Sequence, residues 1–229
     1  GFCQTLCDEL HVPLHIEYVG PLKITGTGVE QAARAARYHA LSNQNANVVA
    51  LAHHMNDQAE TLLLQLFRGA GLAGLSGMPD HIPKELSHIS TQRMSFIRPL
   101  LDIPRAQLRR LALEHGWKWV EDESNNDVRY RRNWIRHHVL PLIQAQYPSI
   151  IRTLAQTAKR LQDTRQLIDD LAEIDATSVI NSENGTLYLV SWRLLPPRRN
   201  ANLLHYWLTR QGIQIPSEGR FNALLHQLR

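Results

Sequence analysis

The chain of 229 residues reads as an α/β domain with a doubly wound parallel sheet, followed by a mainly helical domain. Three observations predict this. Up to about residue 70 the apolar pattern runs helix, strand, helix, strand, helix, the rhythm of parallel sheets covered on both faces. Between residues 51 and 78 a strand-like end runs into an acid-bearing helix start and then into Gly69, Gly71, Gly74 and Gly77. Acids just past the C-terminal end of a parallel strand stand where open α/β sheets hold their ligands. After Tyr147 the composition shifts to long stretches rich in Gln, Arg, Leu and Ala, so the domains are expected over residues 1–147 and 148–229.

The elements follow in order. Residues 1–10 read as the middle or end of a helix, with Cys3 and Cys7 four apart on it. That spacing suits reduced thiols better than a disulfide, and two thiols alone make no zinc site. Residues 12–19 alternate Val12, Leu14, Ile16 and Tyr18 as a strand with one buried face. A Gly- and Thr-containing loop over 24–28 leads to a helix at 29–41, where Arg34 and Arg37 share a face. Residues 47–52 (NVVALA) read as a short buried strand. A helix then begins near His54 and puts Asp57, Glu60, Thr61 and Leu64 on one face, with both acids near its positive end. The glycines that follow permit a turning backbone close to a ligand, although one of them would suffice simply to end the helix.

Residues 79–90 read as a surface loop and 96–100 as a short strand. Pro104 starts a helix that Gly116 stops, with Leu108, Leu111 and Ala112 as its buried stripe. Trp117, Trp119 and Val120 return as an extended piece, and residues 133–143 form the next helix. A long helix spans 149–174 with Leu154, Ala158, Leu161, Ile168 and Leu171 as its stripe. One strand at 186–190 and two helices at 197–212 and 217–229 complete the second domain, which keeps Arg198, Arg199, Arg210 and Arg220 on a basic face. There is no internal repeat.

Composition bounds the function. Hydrophobic residues at 43% and charged residues at 20% fit a globular protein. No apolar run approaches the roughly eighteen residues that span a membrane, and no signal segment opens the chain, so a cytoplasmic location is expected. The net charge of +4 is uneven: residues 91–160 hold 13 Lys and Arg against 6 Asp and Glu, leaving the remainder net acidic. A basic middle suits a phosphate backbone, or is simply a solvated face. Both ends fall inside helical patterns without caps, which predicts a piece cut from a longer protein.

The segments HHMNDQAET and RGAGLAGLSGM resemble the HHxDDQxET and RGxGxxGLxGM signatures of the tRNA(Ile)-lysidine synthases, ATP pyrophosphatases of the PP-loop class. Asn56 stands where that family has the first of two aspartates. AARAARY, which holds Arg34 and Arg37, is similar to the family's AARxxRY. EDESNNDVRYRRNWIRHHVLPL is similar to its DxSNxDxxYxRNxxRxxVxPxL, with Asp122, Ser124, Asn125, Asp127, Tyr130, Arg132, Asn133, Arg136, Val139 and Pro141 in register. Ile143 replaces the final leucine.

The resemblance implies an incomplete fold like that of the adenine nucleotide α-hydrolases over 1–147, holding the nucleotide and the chemistry, and a truncated tRNA-binding domain over 148–229. It implies ATP-dependent ligation of L-lysine to C2 of the wobble cytidine of tRNA(Ile), through an adenylated tRNA. Asp57, Glu60, Arg132 and Arg136 are the implied catalytic residues. The same four, with Asn125 and Asn133, are expected to bind lysine and cytidine. Arg37 first, then Arg34, His53 and His54, are expected at ATP. The implied cofactors are ATP and Mg2+, with no metal held by protein ligands. The implied partners are tRNA(Ile), lysine and ATP, with a homodimer permitted and no membrane. The family's SGGxDS pyrophosphate loop does not occur in these residues, nor does its C-terminal domain, so the fragment alone is expected to be inactive, with an exposed sheet edge. Three other readings stand beside this one. One is a metal-dependent hydrolase built on His53, His54, Asp57 and Glu60. Another is a non-catalytic tRNA-binding remnant. The third is a sister PP-loop enzyme that thiolates another tRNA base.

Overall fold

A computed structural model describes residues 1–20, 29–44, 46–83, 94–213 and 218–228. They form two compact units. The first comprises Gly1–Gly69 and Gly77–Ala158, the second Ala70–Ser76 and Lys159–Arg229.

The first unit is built on a small mixed sheet. β1 (Val48–Ala50) runs parallel to β3 (Ser95–Ile97), with Val49 opposite Phe96, and β2 (His81–Ile82) pairs antiparallel to β3. The order is β1-β3-β2. Tyr38, Met94 and Phe96 are buried around it, packed by Val49, Leu51 and Ile82. Tyr38 belongs to α2 (Val29–Ser42), the helix expected at 29–41. The loop expected at 24–28 lies outside the described residues, as does 84–90 of the loop expected at 79–90.

Two strand expectations are corrected here. Residues 12–19 follow α1 (Phe2–Glu9) but form no strand; Val12, Ile16 and Val19 are about half exposed and Tyr18 is 90% exposed. Alternation selects a face, but a strand needs a neighbour to take its backbone hydrogen bonds, and none pairs with it among the described residues. β1 is shorter than expected, and Val48 is 51% exposed because β1 is an edge strand of the described sheet.

Helices cover the rest of this unit. α3 (Met55–Phe67) buries Met55, Ala59, Leu62 and Leu63, a stripe at steps of three and four. Met55, Ala59 and Leu63 join Ile135, Leu140, Ile151 and Ala155 in one core. Ile135 and Leu140 come from a continuous helical run: α6 (Arg131–Trp134), a wide π turn over Ile135–Val139, and α7 (Leu140–Gln146). α5 (Arg105–Glu114) starts after Pro104 and stops at Gly116, as the sequence predicts. Its expected buried stripe is not buried: Leu108 and Ala112 are half-buried and border a cavity rather than a filled core, and Leu111 is 41% exposed.

α8 (Ile150–Val179) continues from the first unit into the second. Ile151, Ala155, Ala158, Ala172 and Val179 are buried on it, so of the expected stripe Ala158 is buried, whereas Leu171 is 38% exposed. The second unit packs Ala172, Val179, Trp192, Leu203, Leu204, Leu208 and Leu225 together. The strand expected at 186–190 reduces to one bridge, Leu187 to Ile180. Residues from Leu189 turn instead into α9 (Leu189–Arg193), which lets Trp192 bury completely and donate Nε1–H to the Asn200 carbonyl. α10 (Pro197–Arg210) and α11 (Glu218–Leu228) match the two final helices expected. α4 (Leu72–Leu75) is a single turn in the glycine-rich segment.

Candidate active site

The site is assembled where α3 leaves β1. His54 caps α3 in an extended conformation. Its Nδ1 accepts from the Asp57 N–H at 3.3 Å, while Asp57 Oδ2 accepts from the His54 N–H at 2.9 Å. This reciprocal pair satisfies helix-end donors and fixes the Asp57 carboxylate. Burial, foremost, lowers the pKa of His54 against the opposing pull of Asp57. An Nδ1 that accepts carries no proton, so the 3.3 Å approach to Asp57 Oδ2 is not an ion pair at neutral pH.

One turn along, Glu60 is 1% exposed. A buried carboxylate is costly unless its oxygens are occupied by charged donors. Both are. Arg132 Nε donates to Oε2 at 2.7 Å; Arg136 Nε donates to Oε1 at 2.7 Å and its Nη2 to Oε2 at 2.9 Å. Arg132 Nη2 also reaches Asp57 Oδ1 at 2.9 Å. Two acids of the first motif and two arginines of the second thus form one cluster. The one-turn spacing of Arg132 and Arg136 on the helical run from α6 aims both at α3. Glu60 holds Arg136 firmly in its charged form. Asp57, Arg132 and Arg136 keep 14%, 25% and 21% of their side chains exposed.

The remaining expected residues divide. Asn133 is buried, and its Nδ2 donates to the Ser124 and Asp127 carbonyls at 2.8 and 3.0 Å. Its amide nitrogen is thus engaged with the loop, and Asn133 is the peg that holds residues 122–127. Asn125 sits exposed on that loop, where its carbonyl accepts from His137 Nε2 at 2.8 Å. Arg34 and Arg37 lie over the Tyr38 ring, 4.9 and 5.9 Å from its centroid. Arg34 Nη2 donates to the Tyr38 hydroxyl at 3.3 Å. His53 is half-buried, and its pKa falls to about 4 through burial first and the Arg98 charge second, with Arg34 acting the same way. His53 Nδ1 is buried with no partner among the described residues, as is Arg98 Nε. Asn56, in place of the family's aspartate, accepts from the Arg105 N–H at 3.0 Å and so caps α5.

Sequence reasoning singled out neither Gln58 nor Arg98. Gln58 is buried and clamps Met78 on both sides: Nε2 donates to the Met78 carbonyl at 2.9 Å, and Oε1 accepts its N–H at 2.8 Å. Gly77, at φ 65°, faces that amide, so the close approach its glycine permits is to a side chain of the protein. The Gln inside HHMNDQAET was the available signal. Arg98 is 4% exposed and donates from Nη1 to the Pro79 carbonyl. A lone charge inside FIRPL was its signal.

This geometry does not suit the metal-dependent hydrolase. Glu60 and Asp57 face arginines, and among the described residues no three His, Cys, Asp or Glu side chains gather as metal ligands. For the same reason the cluster does not fit a Mg2+ ion. Among the described residues no helix is long and apolar enough to cross a membrane.

An acid-bearing helix start just past a parallel strand stands where open α/β sheets hold their ligands. The PP-loop domain profile matches residues 1–143, and the chain belongs to that family. Its fold is therefore of the adenine nucleotide α-hydrolase type, an α/β architecture, and its domain is an ATP-using one. A second profile, the TilS substrate binding domain, matches residues 187–229. Among individual proteins, the chain is 41% identical over 228 residues to the tRNA(Ile)-lysidine synthase of Nitrosomonas europaea, covering 100% of this chain and 48% of that one. It is 42% identical to the synthase of Azoarcus sp. (100% and 49% covered) and 42% identical to that of Chromobacterium violaceum (98% and 50%). The chain spans about half the length of the curated relatives it matches.

Proposed function

We propose that this chain serves an ATP-dependent ligase that joins L-lysine to C2 of the wobble cytidine of tRNA(Ile) with a CAU anticodon. The observation that carries the reading is the four-residue cluster, which draws Asp57 and Glu60 together with Arg132 and Arg136 from more than seventy residues away. Both halves of the motif resemblance meet at that point.

The reaction has two steps. The C2 oxygen of cytidine attacks the α-phosphorus of ATP, releasing pyrophosphate. The lysine ε-amine then attacks C2; the C2–O bond breaks and AMP leaves with its electron pair. The amine must first lose a proton. Asp57, the acid with an open edge, receives the ammonium and takes part in that loss, while the His54 backbone N–H holds the carboxylate in place. The exposed edges of Arg132 and Arg136 take the lysine carboxylate or the phosphate, as planar forks suit both. Glu60 is fully engaged and acts as the positioning residue for both arginines. Asn133 acts likewise for the loop, which presents the Asn125 amide to the cytidine. Arg37, Arg34, His53 and His54 are assigned to ATP. The orphaned Nδ1 of His53 supports this, being a buried polar atom that a ligand would satisfy. Mg2+ is assigned only to the phosphates of ATP, the site carboxylates being taken.

Residues 1–147 are read as the catalytic part and 148–229 as the tRNA-binding part of a cytoplasmic protein, with a homodimer as its permitted assembly. The test is lysine incorporation into unmodified tRNA(Ile) by the full-length gene product with ATP. Asp57→Asn should lower kcat/KM about a hundredfold or more, the scale of losing one electrostatic contact to the reacting groups. The 229 residues alone should incorporate none. Failure of the full-length product to charge this tRNA with lysine, while it hydrolyses ATP on another substrate, would remove the reading.

A further inference from the structure

His53 and His54 are consecutive, and His54 is extended, with φ −124° and ψ 178°. Side chains that follow one another in extended backbone point to opposite faces. His53 lies within electrostatic reach of Arg98 and Arg34. His54 instead lines a cavity of about 540 Å3 together with Arg105. Of the four residues assigned to ATP above, His54 alone lines this cavity, and the rest of its wall has no role yet.

Its walls have a definite chemistry. Trp117 and Trp119 are 56% and 41% exposed, a large apolar area to leave in water. Arg109 stands over the Trp119 ring, its guanidinium carbon 5.7 Å from the centroid. Arg105 and Lys118 add two further cations. Among the described residues Glu121 is the one acid on the lining; it accepts from Trp119 Nε1 at 3.3 Å and lies 4.0 Å from Arg109. Flat aromatic faces bordered by arginine and lysine suit a ring that brings a phosphate with it. Unpaired RNA bases are held in this way, splayed onto aromatic side chains with cations on the backbone. The volume lies within the ordinary range for a small-ligand cleft.

We propose that this cavity is a stacking site for one unpaired RNA base beside the base that is modified. Trp117 and Trp119 form the platform, and Arg105, Arg109 and Lys118 hold the flanking phosphates. The inference rests on the tRNA reading above and deepens it. His54 lines this site and is joined to Asp57 of the cluster by two hydrogen bonds, so one RNA loop can place its target base at the cluster and its neighbour on the tryptophans. An apolar peptide would leave Arg105 and Lys118 without a partner of opposite charge on the lining, where Glu121 is set against Arg109.

The test uses the full-length protein and a fluorescently labelled anticodon stem-loop of tRNA(Ile), with each loop nucleotide in turn made abasic. Trp119→Ala should weaken binding roughly 5- to 150-fold, the worth of one base on an aromatic ring. Trp119→Phe, which keeps a face, should retain most of the affinity and reports that the protein is folded. One abasic position should weaken the wild type by the same factor and have no further effect in Trp119→Ala. Tryptophan variants that bind like the wild type overturn the proposal, as do losses that multiply at every abasic position. A raised KM for ATP with RNA binding intact would assign the cavity to adenine and overturn it equally. If the wild type does not bind the stem-loop at all, the tRNA reading fails and this site fails with it.

Discussion

Replacing Glu60 with glutamine keeps the shape of the side chain and removes its charge. Three charged hydrogen bonds end on this carboxylate, two from Arg136 and one from Arg132. In Glu60→Gln two guanidinium groups share a single acid, Asp57, and an amide N–H₂ must face donors. Breaking a fully buried pair costs about 3–5 kcal/mol. The arginines here are 25% and 21% exposed, and water can relieve part of the loss, so about 2–3 kcal/mol is expected. That is a large share of the roughly 5–15 kcal/mol that holds a domain together. Urea unfolding would show a lower midpoint at nearly unchanged slope. Arg136→Met should also destabilise, and the double variant should lose much less than the sum, since each change removes the same contact. A loss below about 1 kcal/mol for Glu60→Gln, or strict additivity with Arg136→Met, would refute the view that Glu60 binds the two motifs together.

Other consequences are as direct. The folded-state pKa of His53 near 4, against 6.5 for a free imidazole, means that the unfolded chain binds a proton first as pH falls. Stability is therefore greatest above pH 6.5 and declines between 6.5 and about 4; half-burial limits the decline from this group to about 1–2 kcal/mol, and His53→Asn should flatten it in pH-dependent melts. In Gly77→Ala the new Cβ would sit 2.6 Å from Gln58 Oε1 at φ 65°, so a loss of about 2–4 kcal/mol is expected. Gly116→Ala, at φ 65° with open space around it, should cost only about 1–2 kcal/mol, and equal losses in thermal melts would refute the role of the Gln58 clamp. Asn133→Ala should cost about 1–2 kcal/mol by removing two hydrogen bonds to loop carbonyls, which keep the Asp127 and Tyr130 N–H donors, and should speed protease cleavage within 122–127; an unchanged cleavage rate would contradict the peg.

Periodicity made the helices readable. α2, α3, α5, α10 and α11 lie close to where apolar spacing, Pro104 and Gly116 put them, because a helix satisfies its own backbone and needs only one face packed. Strands fared worse for the converse reason. Residues 12–19 have the alternation, but pairing depends on a neighbour that periodicity does not report. Residues 186–190 are apolar and β-branched enough for a strand, yet the chain turns helical from Leu189, and Trp192 is fully buried in that helix. At the site, the spacing of Asp57 with Glu60 and of Arg132 with Arg136 was legible, and so was their nearness to one another through the family resemblance. That the acids and the arginines would spend their charges on each other was not, since a sequence shows which charges are present and never which of them face each other. Gln58 was hidden for a similar reason: its partner is the backbone of Met78, twenty residues on.

The arginine–carboxylate cluster has an arithmetic of its own. Two negative and two positive groups cancel, so the cluster attracts neither free cations nor free anions over distance. A guest with an ammonium at one place and a carboxylate at another can slot in by exchange, each end taking over a partner that the protein already keeps, and no charge is left stranded on the way. A guest with a single sign must break a pair and leave one member facing apolar surroundings, which costs it affinity. Discrimination of this kind lies in the balance of the resting site, before any pocket shape is felt.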